Sequence, residues 1–282
     1  MQVLVTGATG FIGNHVISAL LARKYSVIAV ARDAFRAQRQ DWFHSVRFIA
    51  CDIHRITHED ISRFGRLDAI IHLAWPGLPN YKAYFHFEDN LPADYRFLKS
   101  MIMSGVPHLL VAGTCFEYGM QNGCLSEDFP ANPVLPYALA KDTLRRFLEI
   151  LRQDTPFILQ WARLFYLHGV GQSPNSLIAQ LERAIVDRDA VFHMSGGEQL
   201  RDYSPVKEVA DRLVTLLEHP ECDGICNICS GEPISVRRLV ERHLALLNEK
   251  ISLNLGHYPY PDYEPMAFWG NPGKFHRYCM PR

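Results

Sequence analysis

Thr6-Gly7-Ala8-Thr9-Gly10-Phe11-Ile12-Gly13 is the stretch that decides the fold of this chain. It follows a short apolar run at residues 2–6 and begins an amphipathic one, which predicts a strand, a tight turn and a helix. Glycines at these spacings let the backbone approach a pyrophosphate closely, and amides at a helix N-terminus favour phosphate charge. The stretch therefore predicts a dinucleotide-binding loop made of Gly7, Gly10, Phe11, Ile12 and Gly13.

The composition is that of a globular protein that interacts with neither nucleic acid nor membranes. The chain has 282 residues, 48% hydrophobic and 21% charged, with a formal net charge of -1. We expect no nucleic-acid surface and no membrane span. No secretory signal precedes the glycine loop, so we expect a cytoplasmic protein. Cys226 and Cys229 form a CxxC on a predicted strand with no second ligand pair, so we expect reduced thiols and no metal.

Short apolar runs alternate with amphipathic stretches through the first half of the chain. This rhythm predicts a doubly wound α/β fold, in which helices cover a parallel sheet. We expect residues 1–165 to form a dinucleotide-binding core. Residues 166–282 should form mainly a smaller substrate-binding lobe, with the segment around 206–230 returning to the core. The predicted strands are Gln2–Thr6, Ser26–Ala31, Val46–Ala50, Ala69–Leu73, His108–Ala112, Phe157–Leu164 and Ile225–Cys229, and the predicted helices are Phe11–Lys24, Asn90–Ser104, Tyr137–Gln153, Ser176–Asp187, Val206–Glu218 and Val236–Asn248.

Tyr137 and Lys141 are four residues apart in a predicted helix, so their side chains share one face. An ammonium close to a phenol lowers its pKa, and Tyr137 can then exchange a proton with a carbonyl oxygen as hydride moves. Thr114, at a strand end, can hydrogen-bond the same oxygen, and Lys141 can also hold a nicotinamide ribose. With the glycine loop, this pattern predicts nicotinamide-dependent redox chemistry, with Thr114, Tyr137 and Lys141 as catalytic residues.

The end of the second predicted strand bears on the choice of cofactor. Dinucleotide folds often place an acid there for the ribose 2′-hydroxyl, but this chain has Arg32, with Arg36 nearby. An arginine can pair with a 2′-phosphate, so NADP(H) is favoured, whereas Asp33 keeps NAD(H) open. After the third strand, Asp52 can accept from the adenine amino group or simply cap a turn, with Ile53 beside it.

Several motifs make the chain resemble the extended short-chain dehydrogenase/reductases, the NAD-dependent epimerase/dehydratase group that acts on nucleotide-sugars. They are His72-Leu73-Ala74, the Ser/Thr-x-x-x-Tyr-Gly segment that includes Thr114, and the segments 163–169, 197–203 and 227–235. The resemblance implies a doubly wound fold and places Leu73 and Ala74 at the cofactor. It also implies that Arg201 contacts a nucleotide diphosphate, and that a homodimer forms through helices around 90–104 and 137–153.

The residues that follow Thr114 narrow the implied reaction. Dehydratases of this group carry an Asp-Glu pair there and decarboxylating members a glutamate, whereas this chain has Cys115 and Phe116. Ketone reduction and epimerisation remain. We favour NAD(P)H-dependent reduction of the 4-keto group of a dTDP-, CDP- or GDP-linked 4-keto-6-deoxyhexose. The alternatives are an NAD-dependent epimerase that works through a transient ketone and, more remotely, a non-catalytic dinucleotide sensor. We expect Cys115 and Glu117 to line the sugar pocket.

Overall fold

The computed structural model describes residues 1–280, which contain fourteen strands and nine α-helices. The strands are β1 Gln2–Thr6, β2 Ser26–Ala31, β3 Arg47–Ala50, β4 Ala69–His72, β5 His108–Thr114, β6 Gly123–Leu125, β7 Ile158–Leu164, β8 Tyr166–His168, β9 Val191–His193, β10 Leu200–Pro205, β11 Gly224–Ile228, β12 Pro233–Ser235, β13 Ser252–Asn254 and β14 Phe268–Gly270. The helices are α1 Phe11–Ala22, α2 Ala34–Gln38, α3 His58–Phe64, α4 Leu91–Met103, α5 Pro136–Asp154, α6 Leu177–Val186, α7 Val206–Glu218, α8 Val236–Leu247 and α9 Gly273–Cys279.

A seven-stranded parallel sheet forms the centre of the molecule. Its strand order is β11-β7-β5-β4-β1-β2-β3, so the chain winds outward in both directions from the β1–β4 pair. In such sheets the point where the order reverses opens a crevice at the carboxyl ends of the strands. The predicted doubly wound α/β class is confirmed, and the glycine loop follows β1 at this crevice.

Both faces of the sheet are buried because successive strand residues point to opposite sides. On one face, Val3 and Val5 of β1 pack in a cluster with residues of α1 and α7. On the other face, Leu4 packs in a cluster with residues of α4 and α5, such as Phe97 and Leu144. Helix α7 and strand β11 therefore belong to the layers of the core. No helix within residues 1–280 is long and apolar enough to span a membrane.

The sequence prediction of the core elements agrees with the structure to within a few residues, while the short peripheral strands were missed. Strands β1 and β2 and helix α7 have the predicted bounds, and β5 runs two residues beyond Ala112, to Thr114. Strand β14 pairs in parallel with β6, and β13 with β9. Three-residue strands that pair across long stretches of chain leave no periodic signal in the sequence.

Candidate active site

The glycine loop closes tightly over the ends of β1 and β4. Gly7 has a φ of +67°, and a Cβ on it would lie 2.9 Å from the Ala74 amide nitrogen. A Cβ on Gly13 would meet the Gly7 carbonyl oxygen at 2.2 Å. Gly10 precedes α1 without a capping side chain, so the first-turn amides of α1 have no side-chain acceptor. This is the backbone geometry that a pyrophosphate requires.

A cleft of about 550 Å³ opens beside this loop. Twelve residues are expected to bind the cofactor, and two of them, Tyr137 and Lys141, lie outside the lining of this cleft. The other ten all line it, although they come from four separate stretches of the chain. They are Gly7, Gly10, Phe11, Ile12, Gly13, Arg32, Asp52, Ile53, Leu73 and Ala74. The residues and the shape of the cleft therefore fit a dinucleotide.

At the end of β2 the cleft presents two arginines. Arg32 and Arg36 both line the cleft, whereas Asp33 is absent from its lining and caps α2 by accepting from the Arg36 amide at 2.9 Å. Asp52 likewise accepts from the His54 amide at 3.1 Å, and it lines the cleft as well. The part of the cleft next to the end of β2 therefore presents two cationic hydrogen-bond donors, Arg32 and Arg36, to a bound cofactor.

Thr114, Tyr137 and Lys141 meet at the carboxyl end of β5. Helix α5 begins at Pro136, whose fixed φ suits the first helical position, and so places Tyr137 in its first turn. The Thr114 side chain faces the Tyr137 hydroxyl and acts to lower the pKa of Tyr137. Lys141 Nζ donates to the Ala112 carbonyl oxygen at 2.9 Å and lies 4.0 Å from the Trp75 ring centroid. The structure brings the three predicted catalytic residues together.

Burial determines how this group ionises. Burial raises the pKa of Tyr137 above that of a free phenol, and it lowers the pKa of Lys141 to about 8. The expected net lowering of the pKa of Tyr137 is wrong in this structure, because the desolvation of the buried phenol outweighs what favours its phenolate. At neutral pH Tyr137 is therefore protonated and able to donate a proton.

An aromatic segment between the cleft and the buried pair was largely missed by the sequence reasoning. Trp75 and Tyr81 line the cleft, and their ring centroids lie 6.0 Å and 5.6 Å from that of Tyr137. Trp75 Nε1 donates to His86 Nδ1 at 3.0 Å. We call residues 75–81 the covering segment. The position of Trp75 directly after Ala74 was the available signal.

Glu117 does not line a sugar pocket, so that expectation is corrected. Its side chain is fully buried and accepts from Arg163 Nε at 2.8 Å and from Trp161 Nε1 at 2.9 Å. It also accepts from the Thr114 amide at 2.9 Å, which closes a capping box behind Thr114. Glu117 thus supports the wall that carries Thr114, while Phe116 is the partly exposed residue of this turn.

Cys115 and Arg201 are also used differently from the expectation. Cys115 is buried in a hydrophobic cluster with Phe165 and Phe268, and burial raises the pKa of its thiol. Arg201 Nε and Nη2 donate to Glu264 Oε2 at 3.1 Å and 2.8 Å, and Nη1 donates to two main-chain oxygens. The guanidinium is 2% exposed. The structure therefore replaces the expected diphosphate clamp with a buried ion pair.

The family of the chain follows from sequence comparison. The family described as "NAD dependent epimerase/dehydratase family" matches residues 3–229. The chain belongs to this family of enzymes. Together with the dinucleotide-shaped cleft, this supports a nicotinamide dinucleotide as the cofactor.

Individual relatives include both dehydrogenases and epimerases. The chain is 31% identical over 272 residues to a dTDP-6-deoxy-L-talose 4-dehydrogenase (NAD(+)) from Aggregatibacter actinomycetemcomitans, covering 96% of this chain and 99% of the relative. It is 25% identical to a UDP-glucose 4-epimerase from Halalkalibacterium halodurans, covering 86% and 79%. The solved structure of MoeE5 in complex with UDP-glucuronic acid and NAD superposes with a TM-score of 0.84 at 26% identity, covering 99% of this chain and 92% of MoeE5.

Proposed function

We propose that this protein reduces the 4-keto group of a nucleotide-linked 4-keto-6-deoxyhexose with a reduced nicotinamide dinucleotide. The observation that carries the proposal is the buried Tyr137 and Lys141 pair, packed against the Trp75 side chain that lines the cleft, with no free carboxylate in the residues that follow Thr114. The full-length similarity to a 4-dehydrogenase acting on a dTDP-6-deoxysugar supports this reaction and makes dTDP the first base to test. In this proposal residues 166–282 form mainly the lobe that binds the substrate.

The residues of the chain account for the proton transfer in this reaction. The reduced cofactor, when bound, supplies the hydride that the ketone carbon gains. Tyr137 donates its proton to the ketone oxygen, and the Thr114 hydroxyl hydrogen-bonds that oxygen as negative charge develops. The Lys141 ammonium stabilises the Tyr137 phenolate that remains, and solvent returns the proton. The aromatic covering segment excludes water from the reacting atoms.

The absence of an acid–base pair after Thr114 argues against elimination of water. A dehydratase needs a separate acid and base beside the sugar, but the Cys115 thiol is buried with a raised pKa and Glu117 is held by Arg163. Phe116 can neither donate nor accept a proton. Reduction and epimerisation both need only the Thr114, Tyr137 and Lys141 set.

The first experiment measures NADPH and NADH absorbance with purified protein and dTDP-, CDP- or GDP-linked 4-keto-6-deoxyhexoses. Stoichiometric loss of absorbance with one of them supports the reductase. If no cofactor is consumed, and bound NAD(H) copurifies while a 4-hydroxyl nucleotide-sugar is epimerised, the protein is an epimerase instead. Epimerases among the relatives make that the second candidate.

We further propose that the cofactor is NADP(H), because Arg32 and Arg36 line the cleft and Asp33 is engaged as a helix cap. Hydrogen bonds to charged groups contribute about 1.5–3 kcal/mol. Arg32→Ala should therefore reduce kcat/KM for NADPH by about tenfold or more and leave NADH unchanged. Arg39→Ala, on the same short segment but outside the cleft lining, is the matched control. Equal losses with both cofactors in Arg32→Ala would contradict the preference.

We also propose a homodimer formed through α4 and α5. Large apolar side chains are exposed on these two helices, at Met103, Leu139, Phe147 and Ile150. A patch spread over two adjacent helices that pack together suits a second copy of the same surface. Light scattering should give twice the chain mass, and Phe147→Glu with Ile150→Glu should give the monomer. A monomeric parent protein would exclude this interface.

A further inference from the structure

The covering segment lies over the reacting pair, Tyr137 and Lys141, without belonging to a helix or strand. It follows β4 as a series of turns whose middle part, residues 77–80, is exposed. The main-chain hydrogen bonds within the segment are short-range ones, from the amide of residue 80 to the carbonyl oxygen of residue 77 and from that of residue 81 to that of residue 79. Contacts outside the segment therefore decide where its aromatic residues lie.

His86 makes such contacts with both ends of the covering segment. It is the first residue of the short π-helical turn, His86–Asn90, that precedes α4, and it is fully buried. Trp75 Nε1 donates to His86 Nδ1 at 3.0 Å, and His86 Nε2 lies 3.0 Å from the Asn80 carbonyl oxygen. Each ring nitrogen thus has a partner on the segment, one at its first residue and one beside Tyr81.

These two partners determine where the proton of His86 lies. An indole N–H can only donate and a carbonyl oxygen can only accept. Nδ1 therefore carries no hydrogen, and Nε2 carries the proton and donates it to the Asn80 carbonyl oxygen. The Asn90 side-chain amide, which donates to the Pro76 carbonyl oxygen at 3.0 Å, lies 3.4 Å from Nδ1 as a second donor. The contacts thus require a neutral His86, and burial, which lowers its pKa, favours that form.

Both ends of the segment contact the reacting pair. The Trp75 ring centroid lies 4.0 Å from Lys141 Nζ and 6.0 Å from the ring centroid of Tyr137. Tyr81 has its ring centroid 5.6 Å from that of Tyr137, and its carbonyl oxygen accepts from the Tyr137 amide at 3.2 Å. The ring centroid of His86 itself lies 5.3 Å from that of Tyr137. Three aromatic side chains therefore pack against the Tyr137 ring, and His86 connects the segment that supplies the other two.

We propose that His86 is a positioning residue that hydrogen-bonds both ends of the covering segment and so holds Trp75 and Tyr81 against the reacting pair. Loss of the His86 ring nitrogens leaves the Trp75 N–H buried without its acceptor, and an unpaired buried donor costs more than a missing hydrogen bond. The indole then turns toward another acceptor or water, and its face leaves the Lys141 ammonium. His86 thus acts on the reaction through the residues that it holds.

The direct test is the indole N–H signal of Trp75 in the free protein. The chain has four tryptophans, so a 15N–1H spectrum gives few indole signals, and a Trp75→Phe spectrum identifies the one that belongs to Trp75. His86→Phe keeps a ring and removes both hydrogen bonds. We expect a displaced Trp75 signal and about fivefold faster exchange of its proton with water, as the loss of one hydrogen bond requires. His86→Asn, whose amide oxygen can replace Nδ1 as the acceptor, should stay within about twofold of the parent protein.

The ring signals of His86 test the same contacts independently. A long-range 15N–1H spectrum distinguishes the two neutral forms of an imidazole from the protonated form, and His86→Phe identifies the signals of His86 among thirteen histidines. We expect the neutral form with its proton on Nε2 at pH 7. A proton on Nδ1, in a neutral or a charged ring, would overturn the proposal, because Nδ1 could then not accept from Trp75.

His108→Phe is the matched control, because it also replaces a buried histidine by a ring that cannot hydrogen-bond. His108 begins β5, at the end of the strand remote from Thr114, and its Nε2 lies 2.8 Å from Gln160 Oε1. The Trp75 signal of His108→Phe should match that of the parent. An unchanged Trp75 signal in His86→Phe would overturn the proposal, and so would an equal change in His108→Phe. If His86→Phe does not fold, His86→Leu removes the same two hydrogen bonds with a smaller side chain.

The consequence for turnover rests on the proposed function, whereas the spectra do not. His86→Phe should lower kcat about fivefold, and His86→Asn, which restores an acceptor for Trp75, about twofold or less. In a Trp75→Phe background no indole N–H is left unpaired, so His86→Phe should lower kcat only about twofold further. An undiminished loss in that background would show that His86 does not act through Trp75. A protein that fails the reductase assay but shows the expected spectra loses the function and keeps the role of His86 in holding the segment.

Discussion

The cofactor cleft and the reacting pair, Tyr137 and Lys141, depend on different parts of their residues, main chain in the first and side chains in the second. Around the glycine loop the cleft is formed by main chain, and Gly7 and Gly13 leave no room for a Cβ there. The reacting pair, Tyr137 and Lys141, consists of long side chains that are buried under Trp75. The glycine loop should therefore not tolerate an added side chain, whereas the pair should respond to the loss of single atoms.

Loss of the Tyr137 hydroxyl is the sharpest test of this contrast. General acid catalysis contributes about 10²–10⁴-fold, so Tyr137→Phe should lower kcat by roughly a thousandfold. The dissociation constant of NADPH, followed by its fluorescence, should stay within about twofold, because the cleft is intact. Tyr25→Phe, on the far side of the sheet, controls for the loss of a phenol. Turnover close to that of the parent would remove Tyr137 as the proton donor.

Glu117→Gln tests whether the wall that carries Thr114 depends on a buried ion pair. Removing one partner of such a pair typically costs about 3–5 kcal/mol, because it leaves Arg163 buried and uncompensated. Urea unfolding should show a loss of that order. Glu241→Gln, which affects an exposed pair with Arg237, should leave the unfolding midpoint unchanged.

The double variant Glu117→Gln with Arg163→Met separates charge from shape. The double variant removes the Arg163 guanidinium that Glu117→Gln leaves buried without a partner. It should therefore recover much of the stability lost in Glu117→Gln. A double variant that is less stable than Glu117→Gln would show that the shape of the Arg163 side chain matters more than the pairing of charge.

Gly13→Ala tests the cleft side of the contrast. The added Cβ would lie 2.2 Å from the Gly7 carbonyl oxygen, and main chain cannot rotate away as a side chain can. Overpacking costs about 1–3 kcal/mol, so NADPH should bind about tenfold to a hundredfold more weakly. Gly105→Ala also strains the backbone, because Gly105 has a φ of +96°, but it lies far from the cleft and should leave NADPH affinity unchanged. Equal affinity in Gly13→Ala would show that the loop relaxes.

The sequence predicted correctly those site residues that local patterns identify. It assigned the wrong role to residues whose contacts are made with partners far away in the chain. The glycine spacing and the strand ends at Asp52 and Ala74 are local signals, and those residues line one cleft. The Tyr137–Lys141 spacing is also local, and both side chains lie against Trp75 at the edge of that cleft. Glu117 was assigned to the sugar pocket as a polar residue close to Thr114, and Arg201 was assigned to a diphosphate through the family resemblance. Their partners, Arg163 and Glu264, lie 46 and 63 residues away.

The same limit applies to ionisation. Spacing alone placed an ammonium near a phenol and predicted a lowered pKa for Tyr137. Burial is a property of the whole fold, and it raises that pKa instead.

The smallest expected effect concerns Trp75, where the cleft and the reacting pair meet. Its ring lies 4.0 Å from Lys141 Nζ, and a desolvated cation–π contact contributes up to about 2 kcal/mol. Trp75→Leu should lower kcat about tenfold, while Trp75→Phe, which keeps a ring, should lose about threefold or less. Trp269→Leu, outside the cleft lining, controls for the loss of an indole. If Trp75→Phe is as impaired as Trp75→Leu, the hydrogen bond from the indole to His86 holds the pair, and the ring face does not.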